Sequence, residues 1–216
     1  MSARDGILGR IRTALAGEAD CVAPNYELWP DGSWPATEDL FARFADELQR
    51  VQGESQRCKS VTEAQRFLQG LHREVGRPRA VFVDHPTCRE LIHGVDGASS
   101  LQPDMDRIQL AAIPLAIMPA AFLLADTGTA VVMPQNHAER LLCYLPDVSV
   151  LIAEGRSVVV HMSDVWETIT KQASDPAARG EMLLVTGPSR TADIEKKLVL
   201  GAHGPRRLIV ILIEEL

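Results

Sequence analysis

Residues 183–195 read LLVTGPSRTADIE, and this stretch carries the strongest local indication of the fold. An apolar run leads into Gly-Pro-Ser-Arg, and an amphipathic segment follows in which Ile194 and Leu198 stand four residues apart. The pattern predicts a buried strand, a tight loop and the first turn of a helix. Because such a junction directs unpaired backbone N–H groups and the positive end of a helix dipole at one point, it predicts an anion-binding site.

The side chains in this stretch favour the same kind of ligand. Ser189 and Thr191 supply hydroxyl groups, and Arg190 supplies a planar, forked cation that suits a carboxylate or a phosphate. Asp193 and Lys197 stand four residues apart, which is the favourable spacing for an ion pair on the surface of a helix. The residues therefore predict that an anion binds here without identifying it.

Around this stretch, aliphatic segments alternate with segments of helical periodicity. The predicted helices cover residues 4–16, 40–48, 60–75, 86–92, 104–112, 136–144, 163–172 and 191–200. The predicted strands cover residues 80–83, 121–125, 129–132, 148–153, 182–186 and 207–213. This alternation, with strands that are continuously apolar, predicts an α/β fold in which a mostly parallel sheet has helices on both faces.

The length of 216 residues suits one large α/β domain with a small appendage. We assign residues 54–216 to the domain and residues 1–53 to an N-terminal appendage that packs on its body. The appendage contains two amphipathic helices joined by a Trp/Pro-rich loop over residues 20–36. Trp29 and Trp34 in this loop are expected to cover a hydrophobic edge of the same protein, and binding of a partner is the alternative.

The composition excludes several classes of protein. The net charge is −7 and the isoelectric point is near 5.4. No basic stretch is dense enough to follow a phosphate backbone, so nucleic-acid binding is not expected. The four cysteines stand at positions 21, 58, 88 and 143, in no spacing typical of zinc or iron–sulfur ligands. We therefore expect reduced structural thiols, with neither a metal site nor a cofactor on this chain, and the sequence also lacks GxGxxG and a Walker A lysine.

One segment tests whether the chain crosses a membrane. Residues 108–125 carry no charge and approach the length of a spanning helix. Pro114 and Pro119 interrupt the segment, and each would remove a helix hydrogen bond and collide with the preceding turn. The N-terminus also lacks the apolar core of a signal peptide. We therefore expect no membrane span and a soluble protein in the cytoplasm.

Two further turns stand near predicted strands and could meet the first one. Ligands of open parallel sheets bind beyond the carboxyl ends of the strands. Asp126 opens the turn DTGT, where it accepts local N–H bonds, acts as a general base or holds a substrate hydroxyl. His203 follows a predicted helix, where it is either a structural residue favoured by the helix dipole or a catalytic one. His137 opens another predicted helix and could face the same cleft.

Three motifs carry a resemblance to a known family: DTGT at 126–129, TGPSRTADIE at 186–195 and GAHGP at 201–205. In this order, and ahead of a β-rich C-terminal segment, they resemble the LUD-domain family, and within it most closely the lactate utilisation protein C group. We take Asp126 and His203 as the catalytic candidates. The candidate ligand-binding residues are Thr127, Gly128, Thr129, Thr186, Gly187, Pro188, Ser189, Arg190, Thr191, Asp193, Glu195 and Gly204.

The resemblance also implies a fold and a function. The fold is expected to be similar to that of the sugar-phosphate isomerase and CoA-transferase group. The function is expected to be the oxidation of L-lactate to pyruvate beside two iron–sulfur partner proteins. This chain would bind a small organic acid or an anionic cofactor at residues 186–191, and it can form a homo-oligomer. The scattered cysteines agree with clusters that only the partners hold.

The chain departs from the family pattern just before the DTGT turn. Met118 and Ala121 stand where relatives often carry Thr and Asp, so an acid that takes part in a reaction there would be lost. Two alternatives to lactate oxidation stay open. One is a free-standing isomerase or CoA-transferase-like enzyme that acts on a phosphorylated or CoA-linked substrate. The other is a non-catalytic assembly module that binds its partner through the N-terminal helix and the tryptophan loop.

Overall fold

The computed structural model describes residues 3–16, 39–174, 181–191, 199–200 and 204–215. The chain divides into two compact units, residues 1–36 and residues 37–216. In the first unit, helix α1 covers Ala3–Leu15, with Asp5 in its first turn and Arg12 in its last, which suits the helix dipole at both ends. The predicted tryptophan loop lies outside the described residues, so its role stays a prediction.

Several helices of the second unit begin at polar capping residues. The helices are α2 (Leu40–Arg50), α3 (Val61–Glu74), α4 (Pro86–Leu91), α5 (Arg107–Ala111), α6 (His137–Leu142) and α7 (Trp166–Ala173). Ser60 accepts a hydrogen bond from the N–H of Glu63 at 3.4 Å, as the sequence predicts for the start of α3. The carboxylate of Glu63 bonds the N–H of Lys59 at 2.9 Å. None of the described helices is both long and apolar enough to cross a membrane.

The strands belong to three sheets. They are β1 (Glu54–Ser60), β2 (Ala80–Phe82), β3 (Ser99–Ser100), β4 (Leu115–Pro119), β5 (Phe122–Leu124), β6 (Thr129–Val132), β7 (Val148–Glu154), β8 (Val158–Val159), β9 (Leu183–Val185), β10 (Arg190–Thr191), β11 (Val199–Leu200) and β12 (Arg207–Glu215). Short 3-10 helices cover Gly155–Ser157 and Met162–Val165.

The largest sheet is parallel and buried on both faces. Its strand order is β1-β12-β7-β4-β2-β3, and each neighbouring pair runs parallel. Alternate residues of β12, from Leu208 to Ile213, belong to two different buried clusters. Phe44 and Leu48 of α2 join the first cluster, and Leu68 of α3 joins the second. This arrangement confirms the predicted α/β fold, in which helices cover a mainly parallel sheet.

Three strands that we predicted for the parallel sheet belong to a separate, smaller one. Its order is β8-β5-β6-β9, in which β6 runs antiparallel to both β5 and β9, and β5 runs parallel to β8. The turn over residues 125–128 explains the difference, because a short turn reverses a chain but cannot make the crossover that parallel strands need. Strand β9 is also less buried than predicted, since Leu184 is 54% exposed.

The helix predicted for residues 191–200 is wrong at both ends. Strand β10 pairs antiparallel with β11, so that Arg190 lies opposite Leu200 and Thr191 lies opposite Val199. Thr191 and Val199 are β-branched, and such residues favour a strand when a partner strand is present. Residues 192–198 lie outside the described residues. The loop therefore leads into a strand at Arg190, and the helix dipole predicted to support an anion there is absent at residues 190–191.

Candidate functional site

Two of the three predicted turns meet in the structure. The hydroxyl oxygens of Thr129 and Thr186 lie 2.7 Å apart and share a hydrogen bond. They meet because β6 and β9 pair antiparallel with Ala130 opposite Val185, which places the residues just outside that pair side by side. The DTGT turn and the start of the 186–191 loop are therefore neighbours, as the sequence predicted.

Both glycines of these turns lie against the end of α2. Gly128 has a φ of +61°, and a Cβ atom there would stand 2.3 Å from the backbone nitrogen of Leu48. Gly187 has a φ of +91°, and a Cβ atom there would stand 2.9 Å from the carbonyl oxygen of Val51. Only glycine combines a left-handed conformation with so close an approach of another backbone. The two turns thus require glycine for packing on α2.

The third predicted turn lies beside the second one. A Cβ atom at Gly204 would stand 3.0 Å from the Cβ atom of Ser189, and the N–H of Ser189 donates to the carbonyl of Pro205 at 2.8 Å. This amide is therefore already bonded and is not one of the free donors predicted for an anion. Pro205 precedes β12, so these residues lie at the amino end of that strand, whereas the sequence predicted a position beyond the carboxyl ends.

The residues that would complete the predicted anion site are only partly described. Thr186 and Arg190 are exposed at the surface of the second unit. Asp193, Glu195 and His203 lie outside the described residues, so their roles stay predictions. The loop keeps the residue types that suit an anion, but residues 190–191 form a strand and the N–H of Ser189 is already bonded, so the described part lacks two features that we expected of it.

Asp126 contacts a histidine that the sequence did not single out. Its carboxylate oxygen Oδ2 lies 2.9 Å from Nδ1 of His161, and Oδ1 accepts a hydrogen bond from the hydroxyl of Thr127 at 3.1 Å. The N–H of Asp126 donates to the carbonyl of Val160 at 3.2 Å, which anchors the residue beside β8. Both side chains are mostly buried, with 21% of Asp126 and 26% of His161 exposed.

No local spacing in the sequence points to this pair, because 35 positions separate its members. The contact forms because β5 and β8 pair in parallel with Leu124 opposite Val159, so that Asp126 and His161 stand side by side two residues beyond. The Asp126 carboxylate therefore holds the His161 ring beside the DTGT turn.

His137 does not join this pair in the described structure. It is exposed at the start of α6, and its Nδ1 lies 2.7 Å from Nη2 of Arg140 on the same helix. Arg140 also donates to Glu181 at 2.5 Å. The expectation that His137 faces the same cleft as Asp126 is not supported by these contacts, which tie it to a surface cluster.

A cleft of about 610 Å³ opens at the carboxyl ends of β2, β4 and β7. These strands are neighbours in the parallel sheet. After β2 the chain adds β3 on one side, and it then returns to add β4, β7 and β12 on the other side. Open parallel sheets bind ligands at such a switch point, because the chain leaves the two central strands in opposite directions and opens a crevice. Of the predicted site residues that the structure describes, none lines this cleft.

The walls of the cleft combine small apolar side chains with charged groups. Ala120 and Ala121 follow β4 and form part of the apolar surface. Glu139 and Glu154 contribute carboxylates, and Arg156 contributes a guanidinium group. Ala121, where the resemblance led us to expect an acid, is thus part of the lining of this cleft.

Sequence reasoning missed the polar residues that follow β2. Asp84 and His85 come directly after a strand that we predicted, and both line the cleft. A hydrogen bond from Arg89 lowers the pKa of the Asp84 carboxyl below its ordinary value. Ligands bind beyond the carboxyl ends of parallel strands, and this rule points to Asp84 and His85. Our prediction missed them because it placed the strands of the small sheet in the parallel sheet and sought the site at their turns.

The described thiols do not suit metal ligation. Cys58, Cys88 and Cys143 are free and buried. Burial raises the pKa of Cys58 to about 11 and the pKa values of Cys88 and Cys143 to about 12, so these thiols keep their protons. Within the described ranges, no group of three or more His, Cys, Asp or Glu residues is placed to hold a metal ion.

A parallel sheet with helices on both faces and a cleft at its switch point defines an open-sheet α/β protein. Residues 96–213 match the model of the LUD domain family, and this region is more than half of the chain. The chain therefore belongs to the LUD domain family. The match confirms the resemblance carried by the DTGT, TGPSRTADIE and GAHGP motifs.

Several relatives are called lactate utilization protein C. The one from Halalkalibacterium halodurans is 37% identical over 101 residues, which cover 44% of this chain and 42% of the relative. The one from Bacillus pumilus is 34% identical over 95 residues, which cover 44% of this chain and 40% of the relative. The one from Geobacillus thermodenitrificans is 30% identical over 146 residues, which cover 66% of this chain and 58% of the relative. The chain thus spans about half the length of these relatives.

One solved structure supports the fold. The crystal structure of a DUF162 family protein from Deinococcus radiodurans superimposes with a TM-score of 0.59 at 17% sequence identity. The superposition covers 81% of this chain and 96% of that protein. At this level of identity the likeness shows a shared fold and carries no information on function.

Proposed function

We propose that this chain acts in lactate utilisation, as a subunit of a system that oxidises L-lactate to pyruvate. The observation that carries the proposal is its similarity, at 30–37% identity, to several proteins called lactate utilization protein C. Membership of the LUD domain family agrees with it. The short coverage of the relatives means that the proposal concerns the LUD domain and its contribution to the system.

The chemistry of the proposed reaction requires an electron acceptor. Oxidation of L-lactate to pyruvate converts an alcohol carbon into a carbonyl carbon and releases two electrons and two protons. We assign the electrons to iron–sulfur clusters on partner subunits. The buried thiols with raised pKa values support this division, because a cluster needs thiolate ligands. The free cysteines also support our proposal of a cytoplasmic location, where thiols stay reduced.

Within this system, residues 186–191 are the proposed binding site for an organic acid or an anionic cofactor. The guanidinium of Arg190 would clamp the carboxylate in a forked arrangement. The hydrogen bond between Thr129 and Thr186 and the contact of Gly204 with Ser189 support the proposal, since they gather parts of three family motifs in one region.

In the proposed site we assign proton transfer to Asp126 and to His161, which contacts it. Nδ1 of His161 lies 2.9 Å from the carboxylate of Asp126, which orients the ring, and we assign transfer of the proton of a substrate hydroxyl to this pair. Asp126 is then the positioning partner of His161. His203 remains a second candidate, from the family motif alone.

Genetic complementation tests the proposed role in lactate utilisation. A Bacillus subtilis strain without its lactate utilization protein C, which is 31% identical to this chain over 93 residues, would express this chain and grow on L-lactate as the only carbon source. We expect restored growth and L-lactate-dependent reduction of an electron acceptor in the extract. Growth on glucose is the control for expression of the chain. Steady turnover of a phosphorylated or CoA-linked substrate by the purified chain, without redox partners, would favour the isomerase or CoA-transferase alternative.

The proposed clamp has its own test. Arg190→Ala should weaken the binding of L-lactate to the purified chain about tenfold or more, because a charge-assisted bidentate bond is lost. Isothermal titration calorimetry measures this change, and growth of the complemented strain gives a second readout. Arg73→Ala is the matched control, since Arg73 is exposed on α3 outside the motif region. Unchanged binding and growth in the Arg190 variant would rule out the clamp and leave the role in lactate utilisation intact.

A further inference from the structure

The cleft at the carboxyl ends of β2, β4 and β7 has the wrong size for lactate alone. Its volume of about 610 Å³ lies in the range that holds drug-sized ligands. A three-carbon acid would fill only a small part of it. The cleft is also separate from residues 186–191, none of which line it. A different and larger ligand therefore suits this cleft.

The charged side chains that line the cleft give it a net negative charge. Asp84 pairs with Arg89, and Glu154 pairs with Arg156 at 2.6 Å, so these charges offset each other. Arg156 is 87% exposed, and water screens its charge more than the charge of Glu154, which is 28% exposed. Glu139 is the remaining carboxylate of the described lining, and none of the described ion pairs offsets it.

Glu139 is held in place by uncharged donors. The backbone N–H of Gln135 donates to one carboxylate oxygen at 2.7 Å, and the side-chain amide of Asn136 donates to the other at 2.8 Å. Each carboxylate oxygen has two lone pairs, so each can accept a further hydrogen bond. The neutral partners fix the position of Glu139 and leave its charge to act on whatever enters the cleft.

His85 also lines the cleft. Its Nδ1 is buried and has no hydrogen-bond partner among the described residues. Buried polar atoms are usually paired, so a polar group of a ligand that reaches this ring after a rotation about its side-chain bonds would satisfy it. The ring nitrogen donates or accepts according to the tautomer, so His85 marks a place for a polar ligand group and Glu139 decides its charge.

We propose that this cleft binds a small organic cation. Its protonated amine or guanidinium group would bond Glu139, with Glu154 as a further acceptor and the unpaired His85 ring as a polar neighbour. Its apolar body would lie on the small residues at the end of β4 and on Phe122. An anionic ligand of the same shape would be repelled by Glu139 in a partly buried site, where charges act strongly. This inference goes beyond lactate utilisation and does not depend on it.

A matched series of ligands tests the charge preference. Phenethylamine, phenethyl alcohol and phenylpropanoate share an aromatic body and differ in the charge of the head group. Isothermal titration calorimetry on the full chain at low salt should show that the amine binds about tenfold or more tightly than the carboxylate, with the alcohol between them. Added salt should weaken the binding of the amine, because salt screens its attraction to Glu139.

Substitutions then locate the binding to the cleft. Glu139→Gln keeps the shape and removes the charge, so it should lower the affinity for phenethylamine about tenfold and change the affinity for the alcohol little. Glu154→Gln is a second variant in case the first one does not fold. Glu167→Gln is the control, because Glu167 is exposed on α7 and does not line the cleft.

Three results would overturn the inference. One is binding of phenylpropanoate as tight as that of phenethylamine. Another is no measurable binding of the amine by the folded wild-type chain at millimolar concentration. The third is an equal loss of affinity in the Glu167 control. Growth on L-lactate reports only on the proposed lactate role, so the two proposals can fail independently.

Discussion

Gly128 stands where both its conformation and its surroundings require glycine. Its φ is +61°, and a Cβ atom would collide with the backbone of Leu48 in α2. Gly128→Ala should lower the free energy of unfolding by about 3 kcal/mol or more. Left-handed strain contributes about 1–2 kcal/mol of this, and the turn must also move off the helix. Urea unfolding followed by circular dichroism measures the loss.

Gly97 offers a matched control for that prediction. Its φ is +72°, but no atom lies within 4 Å of the position of a Cβ atom. Gly97→Ala should therefore lose only the conformational cost of about 1–2 kcal/mol. Equal losses in the two variants would mean that the close approach of α2 to the DTGT turn contributes nothing to stability.

The buried thiols should make the folded chain less stable at alkaline pH. Burial raises the pKa values of Cys88 and Cys143 from the ordinary 9.0 to about 12. Both thiols stay neutral in the folded chain and ionise near 9.0 in the unfolded chain, so their contribution to stability is complete below that pH and is lost as the pH rises toward 12. We expect the free energy of unfolding to fall as the pH rises from 9.0 to about 12, with a shallower slope after Cys88→Ala. An unchanged slope would contradict the assignment.

The sequence could indicate the glycines of these motifs but not their role. The TGPSR and DTGT patterns are typical of ligand loops, and both glycines instead fill close contacts with α2. Those contacts join residues about 80 and 136 positions apart, a relation that periodicity and spacing do not contain. The Asp126–His161 pair was missed for the same reason, because it depends on which strands pair.

Helix α2 begins at a residue with two functions. Asp39 accepts two backbone N–H groups of the first turn at 3.1 Å, and it pairs with Arg57 of β1. Arg57 also bonds Glu214 of β12 at 2.5 Å, which links the helix to two strands. The hydrogen bond from Arg57 and then the one from the N–H of Ala42 lower the pKa of Asp39 below its ordinary value of 3.8. Its charge therefore stabilises the fold above that pH, and the contribution is lost as the pH falls through the lowered value.

Two substitutions separate the cap from the charge. Asp39→Asn keeps a good cap and removes the ion pair, so we expect a loss of about 0–1 kcal/mol near pH 7, because the pair is exposed. That loss should shrink as the pH falls toward about 3. Asp39→Ala should lower the free energy of unfolding by about 1 kcal/mol more than Asp39→Asn at every pH, since it removes the cap as well. Urea unfolding at several pH values measures both, and a pH-independent loss in the Asn variant would contradict the ion-pair account.

The elements that the sequence predicted are those with a strong apolar pattern. Strands β7 and β12 have buried central residues and lie where the continuous aliphatic runs indicated. Strand β1 reads ESQRCKS and buries only Cys58, so an edge strand of this kind shows no apolar run. Strand β4 is apolar, but it stands between the helix predicted for residues 104–112 and the strand predicted for residues 121–125, and our prediction assigned it to neither. Strands β10 and β11 form because they pair with each other, whereas the spacing of apolar residues over 191–200 predicted a helix.

The second unit of the chain contains its own cores. All members of the three buried clusters stand at residue 40 or later. The division at residues 36 and 37 therefore leaves these clusters intact, whereas the boundary that we drew after residue 53 would remove α2. Phe44 and Leu48 of α2 are at most 1% exposed, and each contributes to the cluster on one face of the parallel sheet.

Two truncations test this organisation. A chain of residues 37–216 should unfold cooperatively, with a melting temperature within about 5 °C of the full chain, because it keeps all described core residues. A chain of residues 54–216 loses the three buried core side chains of α2, each worth about 2–5 kcal/mol, and should not fold. Thermal unfolding by calorimetry distinguishes the outcomes, and a stable 54–216 chain would place the boundary where the sequence suggested. If the 37–216 chain folds but no longer co-purifies with the partner subunits, residues 1–36 carry the assembly contact. That result would favour the hypothesis of a non-catalytic assembly module over that of a catalytic subunit.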